Sequence, residues 1–284
     1  MNIQKVTVVG AGIMGAGIAQ VCSRGDLSVS LVDVAQEALG RGIESIASSL
    51  QQAVSKGAIS RADMQRILGN ISTAVGSEKA VSKADLIIEA VPEKIDLKKK
   101  LFAEFDRIAP PHTVFASNTS SLSITEMGAA TQRPDKMIGI HFFSPVPLIE
   151  GVEVIKGLQT SDETLSIILA FLDKIKKEPI IAKDSPGFVV NRILPLFVNE
   201  AFHVIQEGIA SAEDIDKACT MMLQHPIGPM RLADFVGLDT VLAVLEHMHR
   251  EMGEKYRPCT LLKQLVKAGH HGRKTGKGVY EYGQ

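Results

Sequence analysis

The strongest constraint on the fold is a glycine-rich turn that lies between an apolar strand and a helix near the start of the chain. An apolar, β-branched run at residues 6–9 is followed directly by the turn Gly10-Ala11-Gly12-Ile13-Met14-Gly15. Helix-compatible residues 16–22 come next, and a second apolar run at residues 29–32 ends in Asp33. This order of strand, glycine turn, helix, strand and acid is typical of a dinucleotide-binding βαβ unit.

Each glycine of the turn has a physical task in such a unit. Gly10 allows the tight turn, Gly12 lets the backbone approach a pyrophosphate, and Gly15 lets the helix pack closely against the strand. The pyrophosphate charge then meets the N–H groups at the positive end of the helix dipole. All six residues of the turn are therefore predicted to bind the cofactor.

The acid at the end of the second strand indicates which dinucleotide is bound. Asp33 lies 18 residues past Gly15, at a distance where its carboxylate accepts hydrogen bonds from both ribose hydroxyls. Its charge repels a 2′-phosphate, and no arginine occurs at residues 34–40. We therefore expect NAD rather than NADP as the cofactor.

Composition limits the remaining function classes. The chain has 284 residues, enough for about two domains, and its formal net charge of −1 gives no indication of a nucleic-acid or membrane partner. Its three cysteines, Cys22, Cys219 and Cys259, are widely spaced without a CxxC motif, which argues against a metal site or a disulfide framework. We expect neither a leader peptide nor a membrane span, and hence a cytoplasmic protein.

Apolar runs alternate with helical patterns as far as residue 183, after which strand signals nearly vanish. The alternation predicts an α/β fold at residues 1–183, with a Rossmann-type, doubly wound and mostly parallel sheet that binds NAD. An all-helical C-terminal domain is expected at residues 184–284, with helices over residues 188–209, 212–222, 234–251 and 261–268. The pair Met221-Met222 is expected in the core of the second of these helices.

Ligands of an open α/β sheet bind beyond the carboxyl ends of its strands, and several polar residues fall there. Residues 117–121, with the sequence SNTSS, follow one predicted strand, His141 ends the next, and Glu153 lies early in the strand after that. Asn191 follows the domain junction, where a substrate cleft is expected. Ser120 and Asn191 are candidates for hydrogen bonds to a reacting oxygen.

Histidine suits proton transfer from an alcohol, because its reference pKa of about 6.5 lies near working pH. A carboxylate on the other ring nitrogen fixes the tautomer and stabilises the imidazolium. His141 and Glu153 form such a pair only if residues 142–152 fold back as a hairpin. A histidine at a strand end is about as often a structural hydrogen-bonding residue as a base, so the spacing leaves both roles open.

Seven sequence blocks, spread in order over essentially the whole chain, carry a family resemblance. They are GAGIMGAGIAQ, EAVPEKIDLKKKLF, SNTSSLSI, GIHFFSPVPLIEGVEVI, DSPGFVVNRIL, HPIGPMRLADFVGLDT and GRKTGKGVYEY. These blocks resemble the 3-hydroxyacyl-CoA dehydrogenase family, and within it the single-function 3-hydroxybutyryl-CoA dehydrogenases. The resemblance implies NAD-dependent oxidation of an L-3-hydroxyacyl-CoA to the 3-ketoacyl-CoA.

The resemblance also implies roles for individual residues. His141 is the implied catalytic base and Glu153 its carboxylate partner, while Ser120 and Asn191 bind the substrate oxygen. Further contacts with the cofactor are implied for Glu93, Lys98, Ser120, Ser144 and Lys274, and contacts with coenzyme A for Ser49 and Lys56.

Three of these positions have competing interpretations. Many family members carry an asparagine that contacts the cofactor where this chain has Ser144. Serine keeps a hydroxyl donor and acceptor but is shorter, so the direct contact stays open. A lysine that ends an exposed helix is more often simply solvated, so the coenzyme A contacts of Ser49 and Lys56 stay open as well.

Two other functions compete with the leading one. A dehydrogenase of a free hydroxy acid or sugar acid would not need Ser49 and Lys56. A non-catalytic dinucleotide-binding protein would not need His141 together with Glu153.

The expected partners are an acyl-CoA substrate and a second copy of the chain. The helical region contains more apolar helix than a domain of about 100 residues usually hides alone. Together with the resemblance, this predicts a homodimer related by a two-fold axis.

Overall fold

The structure is a computed structural model that describes residues 2–283. The chain forms two compact units, of which the first ends at Ser185 and the second begins at Pro186. The sequence places the change of character after residue 183. Each unit has its own hydrophobic core.

One sheet of eight strands runs through the first unit. Its strands are β1 (Lys5–Val9), β2 (Ser28–Asp33), β3 (Ile71–Val75), β4 (Leu86–Glu89), β5 (Val114–Ser117), β6 (Met137–His141), β7 (Gly151–Lys156) and β8 (Glu178–Lys183). Their spatial order is β3-β2-β1-β4-β5-β6-β7-β8, and all neighbours are parallel except β6 and β7. The order reverses between β1 and β4, which is the switch point where such a sheet binds its ligands. The predicted doubly wound, mostly parallel sheet is confirmed.

The central strands β4, β5 and β6 are buried along their whole length. Strands covered on both faces read as continuous apolar runs, as in LIIE of β4 and MIGIH of β6. Each of the three nevertheless ends in a buried polar residue: Glu89 in β4, Ser117 in β5 and His141 in β6. The carboxyl edge of the sheet therefore collects polar groups that the strand interiors exclude.

Seven α-helices connect the strands of the first unit over the part of it that the structure describes. They are α1 (Ile13–Arg24), α2 (Gln36–Ser55), α3 (Arg61–Gly69), α4 (Glu78–Val81), α5 (Ile95–Ile108), α6 (Ile124–Gly128) and α7 (Asp162–Lys174). The hydroxyls of Ser60, Ser123 and Ser161 accept hydrogen bonds from the backbone N–H three residues on, which caps α3, α6 and α7.

The antiparallel pairing of β6 with β7 returns the chain to the carboxyl edge. Gly139 lies opposite Ile155, Ile140 opposite Val154, and His141 opposite Glu153. The chain thus folds back after His141, which is the hairpin on which the interpretation of His141 and Glu153 depends.

The second unit is built from α8 (Val190–Gln206), α9 (Ala212–Met221), α10 (Pro229–Val236), α11 (Leu238–Met252) and α12 (Thr260–Lys267). Its core contains the fully buried side chains of Phe202, Leu245 and Met248. Within residues 2–283 no helix has the length and apolar character needed to cross a bilayer.

Two predictions for the second unit are wrong. The helix expected over residues 234–251 is two helices, because Gly237 separates α10 from α11 with a φ of +102°, which glycine adopts without strain. The pair Met221-Met222 lies at the surface rather than in the core, with exposed fractions of 71% and 81%. Amphipathic spacing reports that a face is apolar, but it does not report what covers that face.

Candidate active site

The glycine turn forms the N-terminus of α1 and fits a bound dinucleotide. Gly12 is the N-cap residue of α1, and no described side chain caps this helix end. A Cβ atom built on Gly12 has no described heavy atom within 4 Å, which leaves the room that a pyrophosphate needs. Gly10 has a φ of +103°, and an added Cβ would lie 2.5 Å from the Ala90 carbonyl oxygen. A Cβ on Gly15 would lie 1.7 Å from the Gly10 carbonyl oxygen, so only glycine allows α1 to pack this closely.

Asp33, the last residue of β2, accepts a hydrogen bond from the backbone of the glycine turn. Its Oδ2 accepts the N–H of Ala11 at 2.8 Å and its Oδ1 accepts the N–H of Ala35 at 3.1 Å. A carboxylate offers about four lone-pair positions, so two stay available for ribose hydroxyls. A cavity of about 230 Å³ lies beside the turn, lined by Ala11, Gly12, Ile13, Ala16, Ala38, Arg41, Gly42 and Ser45.

His141 and Glu153 form a buried pair at the ends of β6 and β7. The distance between His141 Nδ1 and Glu153 Oε2 is 2.7 Å, and the two residues are 6% and 1% exposed. Because a carboxylate only accepts hydrogen bonds, Nδ1 carries the hydrogen, and the predicted proton exchange would take place at Nε2. The ring of Phe143 packs against the imidazole with a centroid separation of 4.3 Å.

Asn118, directly after β5, connects the ends of β4 and β6 through hydrogen bonds. Its Oδ1 accepts the N–H of Phe142 at 2.9 Å, directly after His141. Its own N–H donates to the Glu89 carbonyl oxygen at 2.8 Å. These hydrogen bonds therefore fix the backbone next to His141 relative to the ends of β4 and β5.

Glu93 lies at the centre of a network that includes Ser120. Its Oε1 accepts the Thr119 hydroxyl at 2.6 Å, the Ser120 N–H at 2.9 Å and the Ser120 hydroxyl at 3.2 Å. Its Oε2 lies 2.9 Å from Lys98 Nζ. Burial by itself raises the pKa of Glu93, but the Lys98 ammonium and these hydrogen bonds outweigh it and hold the pKa below its usual value. Glu93 is thus ionised at neutral pH.

Sequence reasoning missed Glu89, which completes this network. Glu89 is fully buried, and Lys98 Nζ lies 2.8 and 2.9 Å from its two carboxylate oxygens. The Ser117 hydroxyl donates to Glu89 Oε2 at 2.6 Å. The available signal was a glutamate inside the apolar run at residues 84–91, since a charged side chain is almost never fully buried without a partner. Lys98 itself is 1% exposed, and its contact with the cofactor stays a prediction.

Ser49 and Lys56 lie along one wall of a cavity of about 490 Å³ beside α2. The rest of the lining is formed by Gln20, Arg24, Ser45, Ser48, Leu50, Gln52, Ala53, Ala58, Ile59, Pro145, Pro147 and Leu148. Ser49 Oγ accepts a hydrogen bond from Gln20 Nε2 at 3.1 Å. Arg24 and Lys56 bring two positive charges, and no described lining residue is acidic. The cavity therefore suits an anionic group.

The remaining predicted site residues are Ser144 in the first unit and Asn191 and Lys274 in the second. Ser144 is exposed in the connection between β6 and β7. Asn191 lies in the first turn of α8, in the second unit. In the same unit Lys274 Nζ lies 2.6 Å from Asp239 Oδ2. Their roles toward cofactor and substrate stay predictions.

Comparisons with known proteins agree along the whole chain. The model for "3-hydroxyacyl-CoA dehydrogenase, NAD binding domain" matches residues 5–185, and that for "3-hydroxyacyl-CoA dehydrogenase, C-terminal domain" matches residues 187–282. A probable 3-hydroxybutyryl-CoA dehydrogenase of Bacillus subtilis is 44% identical over 99% of this chain and 98% of its own. The human mitochondrial hydroxyacyl-coenzyme A dehydrogenase is 39% identical over 99% of this chain and 91% of its own. The crystal structure of (S)-3-hydroxybutyryl-CoA dehydrogenase PaaH1 from Ralstonia eutropha matches with a TM-score of 0.95, 46% identity and complete coverage of both chains.

The position of Asp33 predicts that NADH binds more tightly than NADPH. A 2′-phosphate would lie against the Asp33 carboxylate, and repulsion between the two charges should weaken NADPH binding by about 10–100-fold. Replacing Asp33→Ala together with Val34→Arg should reverse most of this difference, because Val34 is 90% exposed and leaves room for a guanidinium. Fluorescence titration of both reduced cofactors measures the two Kd values.

Val34→Arg alone is the control, since it adds the cation while the repelling carboxylate stays. It should change the ratio of the two Kd values less than the double replacement does. Tighter binding of NADPH than of NADH by the wild-type protein would show that Asp33 does not face the ribose.

Proposed function

This chain belongs to the 3-hydroxyacyl-CoA dehydrogenase family, and on that premise we propose that it oxidises L-3-hydroxybutyryl-CoA reversibly to the 3-ketoacyl-CoA with NAD. The observation that carries the proposal is the buried pair of His141 and Glu153. The pair lies at the carboxyl edge of the same sheet whose strand β1 leads into the dinucleotide turn. A base and a cofactor turn at one sheet edge are what an alcohol dehydrogenation requires.

His141 is the proposed general base for oxidation and general acid for reduction. Its Nε2 takes the proton of the C3 hydroxyl, and Glu153 stabilises the resulting imidazolium through the Nδ1 hydrogen. Ser120, held by Glu93, hydrogen-bonds the C3 oxygen. NAD, when bound, supplies the acceptor for the hydride that leaves C3. The glycine turn and Asp33 hold this cofactor through backbone N–H groups and a carboxylate.

The cavity beside α2 is the proposed site for the nucleotide part of coenzyme A. Arg24 and Lys56 supply cations for its phosphates, while Ser49 and the neighbouring serines of α2 supply hydroxyl groups. A free hydroxy acid carries no nucleotide and would make no use of this cavity. The cationic lining therefore favours a CoA ester over a free hydroxy acid or sugar acid.

Replacing His141→Gln removes the proton-transfer group and keeps a hydrogen-bonding side chain. We expect kcat for acetoacetyl-CoA reduction to fall by about 10²–10⁴-fold, with the Kd for NADH little changed. Glu153→Gln should also lower kcat strongly, because the imidazolium loses its counter-charge. The double variant should be little worse than His141→Gln, since Glu153 has no task without the imidazole.

His112→Gln is the matched control for this series. His112 is half exposed and lies 3.0 Å from Asp85, and its replacement should leave kcat unchanged. Steady-state rates and NADH titration give both quantities. A His141→Gln enzyme that retains most of its kcat rules out the mechanism, and full additivity of the two replacements separates His141 from Glu153.

Replacing Lys56→Ala tests the proposed CoA cavity. Loss of one charged hydrogen bond to a phosphate should raise KM for acetoacetyl-CoA by about tenfold. KM for the N-acetylcysteamine thioester of acetoacetate, which has no nucleotide, should stay the same. Lys100→Ala, at an exposed position of α5, is the control and should change neither value. An unchanged KM for the CoA ester, or an equal rise for both substrates, would contradict the proposed placement of the nucleotide.

We also propose that the protein is a homodimer held together by the second unit. Large apolar side chains lie at the surface of this unit, among them Ile193, Ile209, Met221, Met222, Leu223, Phe235 and Val236. So many exposed apolar side chains on about 100 residues favour burial against another chain. Light scattering at micromolar concentration should give twice the 30.6 kDa mass of one chain. A mass of 30.6 kDa at that concentration would exclude the dimer.

The state of the cysteines supports a reducing, cytoplasmic environment. Cys22, Cys219 and Cys259 are all free and buried. Proteins of oxidising compartments more often pair their cysteines.

A further inference from the structure

We propose that Glu89 is a positioning residue for the reaction, which fixes Ser120 through Lys98, Glu93 and Ser117. The role rests on the proposed function of Ser120 as a residue that binds the substrate oxygen. Glu89 itself is fully buried at the end of β4, so it acts only through its protein neighbours.

The first connection from Glu89 to Ser120 consists of the two ion pairs that Lys98 forms with Glu89 and Glu93. Both carboxylate oxygens of Glu89 hold the Lys98 ammonium, at 2.8 and 2.9 Å. The same ammonium lies 2.9 Å from Glu93 Oε2. Glu93 has 37% of its side chain exposed and would sample several rotamers by itself. With one oxygen fixed by Lys98, the other stays at the Ser120 N–H, 2.9 Å away.

The second connection runs through hydroxyl groups. The Ser117 hydroxyl donates to Glu89 Oε2 at 2.6 Å, and the Ser117 oxygen accepts the N–H of Thr119 at 3.2 Å. The Thr119 hydroxyl in turn donates to Glu93 Oε1 at 2.6 Å. The two connections thus meet at Glu93, and together they hold the segment that leads from β5 into Ser120.

The burial of Glu89 argues that this network has a task beyond packing. Replacing a buried ion pair by apolar residues of similar volume is often neutral or stabilising. Apolar residues at positions 89 and 98 together would meet the packing needs of the core, apart from the Val91 N–H, which donates to Glu89 Oε1 at 2.7 Å. Such a pair would hold neither Ser117 nor Glu93 in place. A displacement of about 1 Å at a reacting group can cost about 10²-fold in rate, so fixed placement of Ser120 bears directly on kcat.

A double-replacement cycle between Glu89 and Ser120 tests the proposal. The four enzymes are the wild type, Glu89→Gln, Ser120→Ala and the combination of both. In the wild-type background Glu89→Gln should lower kcat for acetoacetyl-CoA by about 10–100-fold. KM and the Kd for NADH, measured by fluorescence titration, should change by less than about threefold. In the Ser120→Ala background the same replacement should change kcat by no more than about twofold, because the residue it positions is gone.

Glu126→Gln is the matched control. Glu126 also pairs with a lysine of α5, since its Oε1 lies 2.9 Å from Lys99 Nζ, but half of its side chain is exposed. Its replacement should leave kcat unchanged in both backgrounds, because exposed ion pairs contribute little.

The outcomes separate this proposal from the proposed function. An equal loss of kcat in both backgrounds means that Glu89 acts independently of Ser120, and overturns the positioning role. A loss of kcat in proportion to a lower NADH binding stoichiometry means that Glu89 only maintains the fold, and overturns it as well. A Ser120→Ala enzyme with wild-type kcat contradicts the proposed function of Ser120 instead.

Ser117→Ala provides a second test that leaves every charge in place. It removes the hydroxyl between Glu89 and the Thr119 N–H, and should lower kcat by about 3–10-fold in the wild-type background only. If Glu89→Gln does not fold, Ser117→Ala alone tests the positioning role of Glu89. Wild-type kcat for a folded Ser117→Ala enzyme would then overturn the proposal.

Discussion

The carboxyl edge of the parallel sheet is the constraint on which the candidate site depends. Neighbouring parallel strands end at the same edge, and the covered central strands β4, β5 and β6 carry a polar residue only where they end. Asp33, Glu89, Ser117 and His141 are the last residues of β2, β4, β5 and β6. Glu153 reaches the same edge because β7 runs antiparallel to β6, which places it opposite His141. The direction of the strands therefore brings the proposed cofactor ligand, the ion network and the proposed proton-transfer pair to one edge of the sheet.

The fold was largely predictable because its strongest signals are local. The glycine turn and Asp33 belong to one βαβ unit, and the alternation of strands and helices continues through the first unit. The failures in the second unit have a different origin. Gly237 separates two helices whose apolar patterns join across it, and its φ of +102° places the boundary at this residue. The exposed pair Met221-Met222 follows a helical pattern that describes an apolar face equally well at a surface and in a core.

The site was less predictable because its network joins residues far apart in sequence. His141 and Glu153 required a hairpin that spacing alone did not establish. Glu89 reaches Ser117 across 28 positions, through the pairing of β4 with β5. Three consecutive lysines follow at the start of α5, and composition does not distinguish Lys98 from the other two. The difference arises in the fold, where Lys98 alone of the three is buried between two carboxylates.

The two charge arrangements of the first unit suit different tasks. Beside α2, Arg24 and Lys56 line a cavity without an acidic lining residue among those described, so their charges are available to an anionic ligand. At the sheet edge the charges are paired and buried, so they attract a ligand weakly but resist displacement, because separating them in a low dielectric is costly. The proposed proton transfer would depend on such resistance, because Glu153 would have to stay at hydrogen-bond distance while His141 accepts and returns a proton. Under the proposed function the nucleotide would need attraction and the reacting oxygen would need fixed neighbours, which matches one set of residues on a helix surface and the other at strand ends.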